Sequence, residues 1–107
     1  MKDFELGDSK TAVFEMLPAN RIKKVRLGNR EIGIVRIGEK IYGFNAFCPH
    51  RGASLISGNI NQSEEIICPL HQYRFDLKTG QCKSGVCSDL QTFPCLVSEQ
   101  GLKITLP

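Results

Sequence analysis

Cys48-Pro49-His50-Arg51-Gly52-Ala53 and Cys68-Pro69-Leu70-His71-Gln72-Tyr73-Arg74-Phe75-Asp76 are the two stretches around which this chain is organised. The chain has only 2 histidines, and each follows a cysteine closely. As a pattern, Cys48-x-His50 is followed by seventeen residues and then by Cys68-x-x-His71. Pro, Gly, Ser and Asn crowd residues 48–58, so the first stretch reads as an irregular loop, and 68–72 reads as a second. Two thiolates and two imidazoles suit a metal in tetrahedral geometry. Two chemistries meet that demand. One is a structural zinc ion holding all four side chains. The other is a two-iron, two-sulfide cluster with both cysteines on one iron and both histidines on the other. Zinc knuckles favour paired ligands of one type, whereas each loop here supplies one of each, which suits a cluster.

Outward from the loops, the chain reads as strands. Residues 21–27 alternate Ile22, Val25 and Leu27 with basic residues, and Gly28-Asn29 supplies a hairpin turn. Residues 31–37 place Ile32, Ile34 and Arg36 on one face and Gly33, Val35 and Ile37 on the other. Gly38-Glu39 turns the chain into a third strand over 40–46. Short strands are expected at 64–68 and 74–77, the latter closed by Lys78-Thr79-Gly80. A last hairpin is expected from 93–99 to 102–106 across Gln100-Gly101. Residues 1–20 form a leading segment, weakly helical or extended over 9–17 and broken by Pro18-Ala19-Asn20. The expected fold is all-β, an antiparallel sandwich or barrel base with two metal-bearing loops at one end.

Composition narrows the functional classes. With 107 residues, 41% of them hydrophobic and 23% charged, the chain is one ordinary folded domain over 1–107. A net charge of +3, scattered along the sequence, gives no nucleic-acid footprint. No apolar run is long enough to span a bilayer, and the polar, acidic residues 1–10 do not read as a secretion signal. The expected compartment is therefore the cytoplasm, with no membrane partner. There, 5 cysteines are expected as thiols, ligands or catalytic groups rather than disulfides. Cys82, Cys87 and Cys95 lie outside the two loops and read as packed residues, Cys95 within an apolar strand. A Cys82–Cys87 bridge would span only a short loop, and a reducing compartment argues against it. Arg51 and Arg74 flank the loops and read as solvated arginines, with attraction of an acidic partner as the alternative.

The two quoted stretches resemble the two boxes of the Rieske iron–sulfur family. Leu77-Lys78-Thr79-Gly80 resembles the segment that follows the second box, and the likeness runs from about residue 17 to 106. The resemblance implies a Rieske-like β fold and a [2Fe–2S] cluster held by Cys48, His50, Cys68 and His71, on loops at about 47–58 and 67–73. It implies a ferredoxin carrying single electrons from an NAD(P)H-dependent reductase to a terminal oxidoreductase, either a ring-hydroxylating oxygenase or a nitrite reductase. The small subunit of NAD(P)H nitrite reductase is similar over 17–48 and 70–73. A catalytic role for the chain alone is not expected. Both histidines are used by the cluster, which leaves none for a mononuclear iron, and no Gly-x-Gly-x-x-Gly marks a bound nucleotide. The alternative is a zinc-bound interaction module.

The boxes also depart from the high-potential members of that family. There, a further cysteine in each box bridges the loops, and Ala53 and Leu70 stand at those positions here. Those members also direct a serine and a tyrosine hydroxyl at the sulfurs, where this chain has Tyr73 and Phe75. Fewer hydrogen bonds to the sulfurs stabilise the more negative, reduced state less. The expected potential is low within the Rieske range, which reaches down to roughly −150 mV.

Overall fold

A computed structural model describes residues 1–49, 52–70, 72–84 and 87–107. His50, Arg51, His71, Gly85 and Val86 lie outside the described residues, so the readings of His50 and His71 as ligands and of Arg51 as a flanking charge fall there. Among the described residues are ten strands, all paired antiparallel, and one α-helix.

The expected meander is present as β2 (Lys23–Leu27), β3 (Arg30–Ile37) and β4 (Lys40–Asn45). Gly28 takes φ 65° in the first turn, a left-handed conformation that favours glycine. The register sets Val25 against Ile32 and Gly33 against Phe44. A Cβ on Gly33 would run into the Phe44 ring, so glycine lets that ring lie flat on the strand.

β3 is buried on both faces, and its alternation feeds two separate cores. Ile32 and Ile34 join the first core with Val13, Leu17, Phe93, Leu102 and Ile104. Val35 joins the second with Phe44, Leu55, Ile66, Phe75 and Leu77. The second core includes Cys48 and Cys68. The meander is thus the shared wall between the base and the end that carries the two cysteines.

Two features correct the sequence reading of the base, and a third decides between the helical and extended readings of 9–17 in favour of the helix. The leading segment contains β1 (Lys2–Leu6), which pairs with the far end of the chain, Lys2 against Leu106 and Leu6 against Leu102. Its Asp3 and Glu5 hide the strand because β1 is an edge, exposed on the polar side. The weak 9–17 pattern is the helix α1 (Lys10–Met16), whose first turn is capped by the Ser9 hydroxyl accepting from the Ala12 N–H at 3.1 Å. Val13 and Leu17 carry it onto the first core.

The expected strand 93–99 is split at Pro94. β8 (Thr92–Phe93) pairs with β4, whereas β9 (Cys95–Ser98) pairs with β10 (Gly101–Leu106) in the sheet β1-β10-β9. Proline has no N–H for either ladder, so the chain changes sheets there. Its carbonyl still accepts from the Thr105 N–H at 3.0 Å.

A small third sheet carries the other end: β5 (Asn59–Ile60), β6 (Glu65–Ile67) and β7 (Arg74–Asp76). Strands β6 and β7 answer the expected 64–68 and 74–77. A two-residue strand such as β5 has too little pattern to be read from sequence.

Cys82 and Cys87 are joined as a disulfide, contrary to the expectation that both are unbridged packed residues. Their Cα atoms are 6.0 Å apart, inside the range a disulfide spans. Both side chains pack against the second core. Cys48, Cys68 and Cys95 are free.

Candidate metal centre

Cys48 follows β4 and Cys68 follows β6, so each heads a loop where a strand leaves its sheet. The two loops share one design. The Cys48 N–H donates to the Ala53 carbonyl at 2.7 Å, and the Cys68 N–H donates to the Tyr73 carbonyl at 2.7 Å. In both, the residue before that carbonyl is left-handed: Gly52 at φ 72° and Gln72 at φ 60°. Each loop therefore closes on its own cysteine. The first is anchored further by the Gly52 N–H donating to the Cys48 carbonyl at 2.7 Å and by the Leu55 N–H donating to the Ala46 carbonyl at 2.8 Å.

The two loops bring their cysteines together. The Cys68 thiol is within hydrogen-bonding reach of the Cys48 thiol, and the Leu70 N–H is directed at it. Burial pushes the Cys68 thiol up from its ordinary value. The Leu70 N–H opposes this by favouring the thiolate, and the adjacent Cys48 adds to the rise. Both cysteines belong to the buried apolar cluster that includes Phe44, Leu55, Ile66 and Phe75. Two paired thiols in an apolar wall are a poor place for free thiolates and a good one for a soft, positively charged centre that neutralises them. The donor set therefore fits a sulfide-bridged iron centre on its cysteine side. The histidine side, His50 and His71, lies outside the described residues.

Around the loops, sequence reasoning missed two things. Arg74 is not simply solvated: its Nη1 is 3.3 Å from the Glu65 carboxylate, across the hairpin that carries the second loop. Asn61 Nδ2 donates to the same carboxylate at 2.8 Å. A charged residue at 65 amid Ile66 and Ile67 gave the only hint. Phe47, just before the first cysteine box, and Leu70, within the second, are 45% and 40% exposed, unusual for large apolar side chains.

A family model for the Rieske [2Fe–2S] domain matches residues 8–94. The chain belongs to the Rieske [2Fe–2S] domain family. The group held by this domain is a [2Fe–2S] cluster, and the paired thiols of Cys48 and Cys68 suit its sulfur-ligated side. The ferredoxin component of the naphthalene 1,2-dioxygenase system of Pseudomonas aeruginosa is 31% identical over 96 residues, covering 89% of this chain and 90% of that protein. Among solved structures, the ferredoxin of carbazole 1,9a-dioxygenase from Nocardioides aromaticivorans IC177 superposes with a TM-score of 0.83 at 24% identity, covering 97% of both chains. A structure assigned as an NADH-dependent nitrite reductase small subunit from Mycobacterium tuberculosis gives 0.80 at 15% identity, covering 96% of this chain and 93% of that one. These structural likenesses establish the Rieske fold, in agreement with the antiparallel architecture. Among the described residues, no helix is long and apolar enough to cross a membrane.

Proposed function

We propose that this Rieske chain is a one-electron carrier, a single domain over 1–107 whose loops at about 47–58 and 67–73 hold the cluster through Cys48, His50, Cys68 and His71. It takes electrons from an NAD(P)H-dependent reductase and delivers them to a terminal ring-hydroxylating oxygenase in the cytoplasm. The observation that carries this reading is the meeting of the Cys48 and Cys68 thiols at the heads of two loops of one design.

When bound, the cluster supplies a centre that accepts and releases one electron at a time. The residues of the chain do the rest. As thiolates, Cys48 and Cys68 would supply the two negative charges that offset the charge of the oxidised cluster, leaving a nearly neutral site. Phe44, Leu55, Ile66 and Phe75 keep water from the sulfur side. Phe47 and Leu70 offer apolar surface beside the loops, where an acceptor can approach closely. Ala53 and Leu70 leave no bridge between the loops, and Phe75 has no hydroxyl to give, which supports a low potential.

The oxygenase system is preferred over nitrite reductase because the 31% identical relative is a dioxygenase ferredoxin. Cys95, outside both the cluster ligands and the disulfide, is a free thiol and suits a reducing compartment. Anaerobically purified protein is expected to be red-brown, to contain iron and acid-labile sulfide in equal amounts, and to give a mixed-ligand paramagnetic signal after dithionite reduction. Colourless protein containing zinc overturns the reading. His71→Ala with an unchanged spectrum removes His71 from the ligand set.

A further inference from the structure

The Cys82–Cys87 disulfide is the one bonded cysteine pair among the described residues, and the cluster does not use it. Its segment is fastened to the strand that closes the second loop. The Lys83 N–H donates to the Arg74 carbonyl at 2.8 Å, and the Arg74 N–H donates to the Ser84 hydroxyl at 3.0 Å. The Asp76 N–H donates to the Gln81 carbonyl at 3.0 Å, and Cys82 itself bridges to Phe75. The Cys82 N–H is held in turn by the Asp89 carboxylate at 3.0 Å. Strand β7 begins at Arg74, immediately after the Tyr73 carbonyl that accepts from the Cys68 N–H. A short, continuous run of bonds therefore connects the disulfide to a cluster cysteine.

We propose that Cys82 and Cys87 form a thiol–disulfide switch that sets how firmly the second loop holds the cluster. The inference rests on the carrier reading above. Both cysteines are only half-buried, so a partner thiol can reach the bond. A dithiol, small or protein-borne, is the reductant. One of its thiolates attacks a sulfur of the pair, the Cys82–Cys87 bond breaks, and a mixed disulfide forms. Its second thiol then attacks its own sulfur in that mixed disulfide and expels the cysteine still bound there. The dithiol is oxidised to a disulfide, and Cys82 and Cys87 gain two electrons and two protons. In a reducing compartment, disulfides that occur are mostly of this transient, sensing kind. Opening the bond frees Cys82 from Cys87 and loosens the clamp on Arg74 and Tyr73. The cluster is then held less tightly whenever the dithiol pool is reduced.

The test uses the purified, cluster-loaded protein under anaerobic conditions, with and without dithiothreitol. Native alkylation by iodoacetamide, read by peptide mass spectrometry, reports the bond. Loss of cluster absorbance to an iron chelator reports the hold. Expected is no label on Cys82 or Cys87 in untreated protein, label on both after dithiothreitol, and a severalfold faster loss of the cluster. The paired variant Cys82→Ser/Cys87→Ser is expected to lose its cluster at the faster rate with or without dithiothreitol, which separates the switch from any direct action of the reagent on iron. Labelling of both cysteines even after treatment with oxidised glutathione overturns the proposal. So does an unchanged rate of loss when alkylation shows the bond open. Should the paired variant not fold, the comparison within the natural protein still decides. A preparation without iron or sulfide defeats the carrier reading instead, a failure that the alkylation pattern distinguishes because it needs no cluster.

Discussion

Arg74 Nη1 stands 3.3 Å from Glu65 Oε1, tying together the two strands between which the second cysteine loop hangs. Glu65 is the only charged residue buried among the described residues. Its carboxylate is satisfied by Arg74 and by the Asn61 amide. Arg74 is half-exposed and can return to water when its partner is lost, whereas the Glu65 carboxylate is buried. Replacing Glu65 by Ala is therefore expected to destabilise the fold by about 1–3 kcal/mol. Arg74→Ala leaves the carboxylate buried with one partner fewer and is expected to cost a comparable amount. Chemical denaturation of each variant measures this; a loss indistinguishable from zero for both removes the pair from the supports of the second loop.

The partly buried thiol of Cys95 makes stability sensitive to alkaline pH. Burial pushes Cys95 up to about 12 from 9.0. The folded thiol thus keeps its proton while the unfolded one has lost it. Above about pH 9 the unfolded state binds fewer protons, so stability falls as pH rises, until the folded group also titrates near 12. The contribution is intact below pH 9 and declines by at most about 1.4 kcal/mol per pH unit above it. Tyr42 acts in the same sense over about 10 to 12, because burial, and then its hydrogen bond to Glu64 at 2.9 Å, favour the neutral phenol. Denaturation curves between pH 8 and 11 are expected to fall less steeply for Cys95→Ala and for Tyr42→Phe than for the natural chain. Parallel curves for all three contradict the assignment.

The cysteine half of the candidate site was more legible than the sheets that hold it, while His50 and His71 lie outside the described residues. The box residues carry chemistry in their identities, and their spacing marked Cys48 and Cys68 as partners before any strand was placed. The meander 21–46 was legible because Ile32, Ile34 and Val35 alternate about clear turns. What was hidden is what depends on distant residues. Strand β1 exists only because residues 101–106 lie beside it. Pro94 divides one apolar run between two sheets, and a one-dimensional pattern does not say which sheet receives each half. The Cys82–Cys87 bond was dismissed on compartment alone, a general tendency outweighed by two cysteines placed at bonding distance by β7.

Gly52 and Gln72 occupy equivalent places in the two loops, yet only one is glycine. Among the described residues nothing lies within 4 Å of a Cβ built on Gly52, so the cost of adding one rests on φ 72°. Gly52→Ala is expected to destabilise by about 1–2 kcal/mol. Gln72 already bears that cost at φ 60°, and Gln72→Gly is expected to gain at most about 1 kcal/mol, less the extra freedom of glycine in the unfolded chain. Thermal unfolding of the two variants should move in opposite directions or, for Gln72→Gly, stay still. A stabilised Gly52→Ala would mean that the first loop does not need its left-handed residue.

Phe47 is the large aromatic side chain left open beside the cluster loops, and an acceptor that approaches there must cover it. Phe47→Glu places a charge on that apolar surface without touching a ligand. Electron delivery to a terminal oxygenase, followed by stopped-flow oxidation of the reduced protein, is expected to slow by about tenfold, the equivalent of ~1.4 kcal/mol at an aromatic anchor. The visible spectrum and the midpoint potential should not change. An unaltered rate would place the docking surface elsewhere; an altered spectrum would show instead that Phe47 shapes the loop.

Tyr73 offers the sharpest test of why the potential should be low. Its carbonyl holds the Cys68 N–H and survives any side-chain change, so Tyr73→Ser keeps the loop closure and presents a small hydroxyl beside the sulfurs. The ring packs on the second core, and its loss is expected to cost about 1–3 kcal/mol of stability. Tyr73→Ala removes the same packing without supplying a hydroxyl. A donor to sulfur stabilises the reduced, more negative state, so Tyr73→Ser is expected to have a higher midpoint potential than both the natural chain and Tyr73→Ala. Protein-film voltammetry on the three proteins reads the difference. If the serine variant matches the alanine variant, the rise owes nothing to hydrogen bonding, and the low potential must come from solvent exposure or charge.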